Sequence, residues 1–375
     1  MRLKKRRKIR VLIAGGGTGG HLFPGIAVAE EFRSRNAGTE VLFIVGRRKM
    51  ETNILHHLGF PQTSINIEGL KGRGWRKGIM TLLRLPLSLL QAISAIRKFA
   101  PHAVLGVGGY ASGPVCLAAK ILRIPAGIHE QNTFPGLTNR LLCRVVDKVF
   151  IAFEKSRAHF SAGNILLTGN PIRKELLILP ETVTQDKTFT ILVVGGSQGA
   201  RSINKAVVEA LFTLKSRGIK PEVIHQTGEN DYARVTDEYR RINLKAEIVP
   251  FIHNMAQAYH KSDLAICRAG ALTVSELAAL GKPSILIPYP FAANRHQEMN
   301  AIMLTEVGGA EIIDQAHLDG SLLADAILRY IDDPGSLHKM GEQARSIART
   351  NAAEIIADEL GSMAKQDSRP CPMTP

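Results

Sequence analysis

Between residues 11 and 25 the chain reads VLIAGGGTGGHLFPG: an apolar run, five glycines in six positions, and a single histidine, His21, directly behind them. Glycine admits backbone conformations and close approaches that a Cβ forbids, and the free N–H groups at a helix start prefer an anion. The pattern predicts a strand over 11–14, a phosphate-cradling loop, and a helix from Pro24 onward; a tight strand–helix turn is the plainer alternative. A second cluster, GVGGYASG (106–113), puts Gly106, Gly108, Gly109 and Gly113 at another strand end and predicts a further anion nest. A third, ILVVGGSQGA (191–200), repeats the strand-then-glycine design of the first. Two anion-seeking loops in the first half point to a ligand that carries a diphosphate.

Other chemistries compete for the same motifs. GGGTGG satisfies G-x-G-x-x-G at Gly15, Gly17 and Gly20, but the acidic residue a dinucleotide site needs about 20 residues on is replaced by Gly46-Arg47-Arg48. GGSQG (195–199) matches a nucleophile elbow, for which Asp263 and His296 are nominal partners; phosphate binding by Ser197 is the alternative. HEQN (129–132) closes a strand with four polar side chains, either binding groups or buried, satisfied polars. In CRAGALTVSE (267–276) a strand runs into a helix starting near Leu272, and Glu276 is suited to two ribose hydroxyls or, with Thr273, to a capping box.

These motifs sit on a regular scaffold. Apolar runs at 41–46, 103–109, 126–132 and 148–153 alternate with helical stretches, and a second series follows at 191–196, 222–228, 247–252, 264–270 and 284–290. That alternation predicts α/β architecture with two doubly wound, Rossmann-like parallel-sheet domains, joined near 163–180. Ligands in such sheets bind beyond the carboxyl ends of the strands, so two facing domains would form a cleft between their glycine loops.

Of 375 residues, 45% are hydrophobic and 22% charged, as in ordinary globular chains. The net charge of +15 is uneven: residues 1–164 hold 26 Lys/Arg against 8 Asp/Glu, and residues 165–375 hold 22 against 25. The basic half implies an anionic partner, nucleic acid or a membrane surface. Nucleic acid would call for aromatic platforms or a basic recognition helix, and neither is evident. The basic start MRLKKRRKIR has no apolar core behind it, so a secretory signal is not expected. The longest charge-free stretch of the most apolar segment, Leu85 to Ile96, is 12 residues, short of the ~20 that span a bilayer. Trp75, Arg76, Lys77 and Arg84 beside it form either an interfacial patch on anionic lipid or a core helix with snorkelling cations. Four cysteines without a C-x-x-C pair indicate neither a disulfide framework nor a zinc site.

Taken in order, GGGTGGHLFPGIAVA, GVGGYASGP, HEQN, GNPIR, GGSQGAR, CRAGALTVSE and RHQEMNA resemble the bacterial UDP-N-acetylglucosamine:undecaprenyl-diphosphate-muramoyl-pentapeptide N-acetylglucosaminyltransferases, over roughly residues 9–362. The resemblance implies a GT-B fold and an inverting transfer that makes lipid II from lipid I for peptidoglycan. It implies domains at 1–166 (acceptor and membrane side, with a returning helix over about 347–364) and 167–346 (UDP-sugar side), and a loose tail at 365–375. By the same resemblance the Ile252 backbone reads uracil and Glu276 the ribose. Arg173, Ser197 and the helix start at Ala271, Leu272 and Thr273 hold the diphosphate, while Gln297 and Asn300 take sugar hydroxyls. Thr18, Gly19, Gly20 and Asn132 reach the donor from the first domain, and Gly17, Gly108, Gly109 and Tyr110 lie by the acceptor's phosphates.

No Asp-x-Asp metal clamp occurs in the chain, so no metal or cofactor is expected, and charge on the leaving diphosphate falls to cations, backbone N–H groups and helix dipole. His21, at a helix end that disfavours imidazolium, is the expected general base, with Glu130 as the alternative. The expected partners are UDP-N-acetylglucosamine, undecaprenyl-linked lipid I, the anionic cytoplasmic face of the membrane, where the protein would be peripheral, and other cell-wall synthesis proteins.

Overall fold

The computed structural model describes residues 9–16, 19–47, 49–67, 74–161, 163–178, 188–196 and 198–366, with backbone alone for 49–50, 74–84 and 366. The chain divides into two compact units, Met1–Arg173 with Thr350–Pro375, and Lys174–Arg349.

Unit 1 is built on seven parallel strands: β1 (Arg10–Ala14), β2 (Glu40–Val45), β3 (Gln62–Ser64), β4 (Ala103–Gly106), β5 (Ala126–Glu130), β6 (Lys148–Ile151) and β7 (Ile165–Leu167), in the order β3-β2-β1-β4-β5-β6-β7. The β-branched residues of β1 and β4 are wholly buried, as strands covered on both faces must be. The winding reverses between β1 and β4, which pair from Val11↔Ala103 to Ala14↔Gly106. The GGGTGG and GVGG loops follow these two strands, so both stand at the sheet's topological switch point. Their backbones meet there. Gly109 has φ +76°, and a Cβ on it would lie 2.0 Å from the Gly16 carbonyl oxygen.

The helix Gly19–Arg35 starts earlier than expected and contains Pro24 rather than opening on it, which brings His21 into its first turn. On the same face, the helix Ala352–Gln366 completes the core: Ile356, Ala357 and Leu360 pack among Ile13, Ile26 and Phe43. Ion pairs Arg35–Asp358 and Lys148–Glu359 fasten it.

Unit 2 repeats the plan with six parallel strands: β8 (Thr190–Val194), β9 (Glu222–Gln226), β10 (Ala246–Val249), β11 (Leu264–Cys267), β12 (Ser284–Leu286) and β13 (Glu311–Ile312), ordered β10-β9-β8-β11-β12-β13. Its switch point lies between β8 and β11, and the loops that follow them are GGSQG and CRAG. Here Gly199, at φ +75°, would put a Cβ 1.9 Å from the Thr227 carbonyl oxygen. The main core lies on one face of this sheet: Ile203, Val207 and Leu211 of the helix Arg201–Ser216 pack with Leu323 and Ile327 of the helix Gly320–Asp332 over Ile191, Val193 and Ile266.

The division falls at Arg173/Lys174 and Arg349/Thr350, against the expected 166/167 and 346/347. After β7 the chain stays tied to unit 1: Thr168 N donates to Ile151 O (2.9 Å) and Asn170 Nδ2 to Gln131 O (3.2 Å). The returning helix was expected over 347–364. Gly17, Thr18, Ser197, the basic start 1–8 and the tail from 367 lie outside the described residues, as do the side chains of Trp75, Arg76, Lys77 and Arg84.

Candidate functional site

In unit 1 the site grows from the switch point. His21 Nδ1 stands 2.9 Å from Gln131 Oε1. Gln131 Nε2 lies 2.9 Å from the Val107 carbonyl and 3.0 Å from His129 Nδ1, and His129 Nε2 lies 3.0 Å from the Gly169 carbonyl. His129 is fully buried, and burial holds its pKa down at about 4. The GVGG loop presses on the same imidazole: a Cβ at Gly108 (φ +90°) would sit 2.7 Å from His21 Nδ1. Ser112 Oγ lies 2.8 Å from both the Ala14 and Gly108 carbonyls, locking the two glycine loops together.

Glu130, the alternative base, is bound into the loop that follows it. Its Oε1 accepts from Asn132 N (2.9 Å) and Nδ2 (3.2 Å), and its Oε2 from Gly136 N (3.1 Å) and Asn139 Nδ2 (2.9 Å). A carboxylate 2% exposed and engaged four times shapes the 132–139 loop. Asn132 is thereby fixed from the HEQN motif itself. Tyr110 is half-buried beside Gly109. Arg173 stacks on Phe23, guanidinium carbon to ring centroid 4.8 Å, next to the first turn that holds Gly19, Gly20 and His21.

One residue escaped the sequence reading altogether. Glu51 is fully buried, and a Cβ on Gly16 would meet its Oε2 at 2.4 Å. Part of the glycine loop thus faces the protein's own carboxylate rather than a ligand anion. Its signal was slight, an acid at the start of the helix Lys49–His57, whose side chain gives no hint that it turns inward.

In unit 2, Gln226 spans the floor of the site. Its Nε2 donates to Gly196 O (2.9 Å) and its Oε1 accepts from Ile252 N (2.8 Å). The Ile252 amide hydrogen is therefore already used, and of its peptide groups the carbonyl is the one suited to a nucleobase edge. The helix Ala271–Leu280, carrying Ala271, Leu272 and Thr273, starts at Gly270 with no side-chain cap. The Thr273–Glu276 capping box does not form: Glu276, 8% exposed, accepts from the Tyr259 hydroxyl at 3.1 Å.

Arg268, given no task from sequence, is a hub. It donates to Ile287 O (3.0 Å), Pro288 O (3.2 Å), Ser202 Oγ (3.2 Å) and Gln315 Oε1 (2.6 Å), and stacks on Tyr289. Burial lowers its pKa from the usual arginine value. It thereby fixes the loop leading to Gln297, whose Oε1 accepts from Tyr289 N at 3.0 Å. Asn300 was expected on the sugar; it is wholly buried, and its Nδ2 donates to Ala269 O at 3.3 Å. Its place is behind the CRAG turn, which it supports.

The hydrolase alternative fails on topology. Asp263 precedes β11 and accepts from Thr190 N at the start of β8 (2.7 Å), at the amino end of the strands, opposite to the GGSQG loop. Among the described residues, no three His, Cys, Asp or Glu side chains converge as a metal site.

The sequence matches the glycosyltransferase family 28 N-terminal domain over residues 11–151 and its C-terminal domain over 190–359. A protein of Geotalea uraniireducens named UDP-N-acetylglucosamine--N-acetylmuramyl-(pentapeptide) pyrophosphoryl-undecaprenol N-acetylglucosamine transferase is 46% identical, the match covering 94% of this chain and 98% of that one. A relative of the same name from Geobacter metallireducens is 45% identical with the same coverage. The crystal structure of Acinetobacter baumannii MurG superposes with a TM-score of 0.74 at 32% identity, covering 94% of this chain and 99% of that one. Two doubly wound parallel sheets, with glycine loops at both switch points, are thus the GT-B architecture, and the chain belongs to glycosyltransferase family 28, among the N-acetylglucosaminyltransferases of this kind.

Proposed function

We propose that the protein transfers N-acetylglucosamine from UDP-N-acetylglucosamine to the C4 hydroxyl of the muramoyl sugar of lipid I, with inversion, forming lipid II. The observation that carries this reading is kinship at 43–46% identity over 93–96% of the chain with transferases of that name. Unit 2 takes the donor. The Ile252 carbonyl meets the uracil edge, Glu276 the ribose hydroxyls, Gln297 a sugar hydroxyl, and the start of the helix Ala271–Leu280 the diphosphate, where its dipole stabilises charge as UDP departs. Unit 1 takes the acceptor at the loop of Gly108, Gly109 and Tyr110, and His21 removes the attacking hydroxyl's proton.

The lipid acceptor implies a membrane surface, and unit 1 carries a face suited to it. Helices Gly74–Phe99, Ser112–Ile121 and Leu137–Leu142 expose Leu87, Leu90, Leu117, Ile121, Leu137 and Leu141 among the exposed cations Arg97, Lys98, Lys120, Arg123, Arg140 and Arg144. Apolar groups set among cations favour anionic interfaces. Among the described residues no helix is long and apolar enough to cross a membrane. We read the association as peripheral, at the cytoplasmic face.

The test is transfer of labelled N-acetylglucosamine to a short-chain lipid I analogue. The intact protein should turn over. His21→Ala should lose on the order of 10²-fold or more in kcat with donor binding retained, and near-normal turnover would end the base assignment. Leu90→Glu with Leu137→Glu should weaken co-sedimentation with vesicles containing anionic lipid several-fold while leaving transfer to the soluble analogue intact.

A further inference from the structure

We propose that Gln131 is a positioning residue that, backed by His129, fixes the tautomer of His21, keeping hydrogen on Nδ1 and the lone pair on Nε2. The inference rests on the reading of His21 as base and adds what prepares it.

Hydrogen-bond accounting determines every atom of the chain. The Gly169 carbonyl can only accept, so His129 carries its hydrogen on Nε2 (3.0 Å) and a lone pair on Nδ1. That lone pair (3.0 Å), the Val107 carbonyl (2.9 Å) and the His129 carbonyl (3.2 Å) all surround the Gln131 amide nitrogen, the one group there with hydrogens to give them. The carboxamide is thereby oriented, and the atom turned to His21 is its oxygen, 2.9 Å from Nδ1. An amide oxygen only accepts, so Nδ1 must bear the hydrogen. Neutral imidazole then has its basic electron pair on Nε2.

Burial makes the arrangement rigid. His129 is 0% and Gln131 2% exposed, so neither has water as a substitute partner, and reversing the amide would leave three acceptors facing its oxygen. Gly108 allows the loop to lie against the ring, since any Cβ there would crowd Nδ1 at 2.7 Å. In the reaction, the acceptor's O–H bond breaks and its proton goes to Nε2. The oxygen's electron pair forms the new bond to the anomeric carbon, and the bond to UDP breaks with its pair leaving on the diphosphate. The imidazolium keeps Nδ1–H on Gln131. No proton travels further, because the amide oxygen is neutral and His129 already holds its one hydrogen toward Gly169. The relay orients; it does not conduct.

The decisive measurement is the 15N spectrum of the histidine rings in the full-length protein at neutral pH. His21 should show protonated Nδ1 and unprotonated Nε2; an Nε2–H tautomer in the unaltered protein would overturn the proposal with no variant needed. Gln131→Met, close in volume and lacking the amide, should shift His21 toward Nε2–H. It should lower kcat for the lipid I analogue about 10- to 100-fold, leaving donor KM within about twofold, a split that general loss of structure would not give. An unchanged kcat in Gln131→Met alongside a crippled His21→Ala would refute the relay and spare the base. Full turnover in His21→Ala would remove the base while the spectrum still reports the tautomer.

Discussion

The four residues of HEQN are adjacent in sequence yet divide between two tasks, because a strand's end turns successive side chains to different neighbours. His129 and Gln131 back the imidazole of His21, Glu130 organises the loop that follows, and Asn132 is held by Glu130. Composition marked the stretch as chemical. The division of labour depends on the Gly169 carbonyl and the Asn139 amide, 40 and 9 residues away from their partners, which no local pattern reveals. A sharp consequence attaches to Glu130. In Glu130→Gln an NH₂ would confront N–H donors that now meet a carboxylate oxygen, and charge-assisted bonds would be lost. Unit 1 should be destabilised by about 2–4 kcal/mol, read as a lower urea midpoint, while the folded fraction keeps kcat within a few fold. A base would behave oppositely, with normal stability and lost turnover. Gln226 allows a similar separation in unit 2: Gln226→Met leaves the Gly196 carbonyl and Ile252 amide without their shared partner. Donor KM should rise about tenfold, equivalent to about 1.4 kcal/mol, with a smaller change in kcat; an unchanged KM would deny it a part in shaping the donor site.

At the scale of loops and strands, the glycines were legible as special but only partly for the right reason. The expectation was amide groups bare for anions. Gly109 and Gly199 answer instead to chain-on-chain contact, each with positive φ and each within about 2 Å of a carbonyl oxygen for any added Cβ. Gly109→Ala should therefore cost several kcal/mol, detectable as loss of soluble, cooperatively unfolding protein. Gly136→Ala, at φ −64° with nothing within 4 Å of the added carbon, should change stability by less than about 1 kcal/mol. Equal effects at the two sites would contradict the packing. The central strands could be read from sequence because each is a buried apolar run. The edge strands β3, β7 and β13 could not: QTS has no apolar character, and ILL sits inside a stretch that reads as a linker.

For the whole molecule, repetition of the βα plan was evident from the two series of apolar runs, whereas the buried imidazole in each unit was not. His129 in unit 1 and His225 in unit 2 are both 0% exposed, and burial holds their pKa values at about 4 and about 3. His225 lies 3.0 Å from the Tyr239 hydroxyl and 3.1 Å from Asn204 Oδ1, neutral partners that suit a neutral ring. In the unfolded chain both titrate near the ordinary value of about 6.5. Because the folded pKa is the lower one, the unfolded state binds more protons as pH falls, and stability present above about 6.5 declines on acidification. For unit 1 the decline runs from about 6.5 to 4 and amounts to about 3.5 kcal/mol; for unit 2 it continues to about 3 and reaches about 5 kcal/mol, at ~1.4 kcal/mol per pH unit for each ring. Against a typical domain stability of about 5–15 kcal/mol, that is a substantial fraction, in unit 1 through the same imidazole that backs Gln131. Urea titrations at pH 7, 5.5 and 4 should give steadily falling midpoints. Ring resonances of His129 and His225 should stay in the neutral form down to pH 5 in the folded protein, and titration of either near 6.5 without unfolding would refute the account.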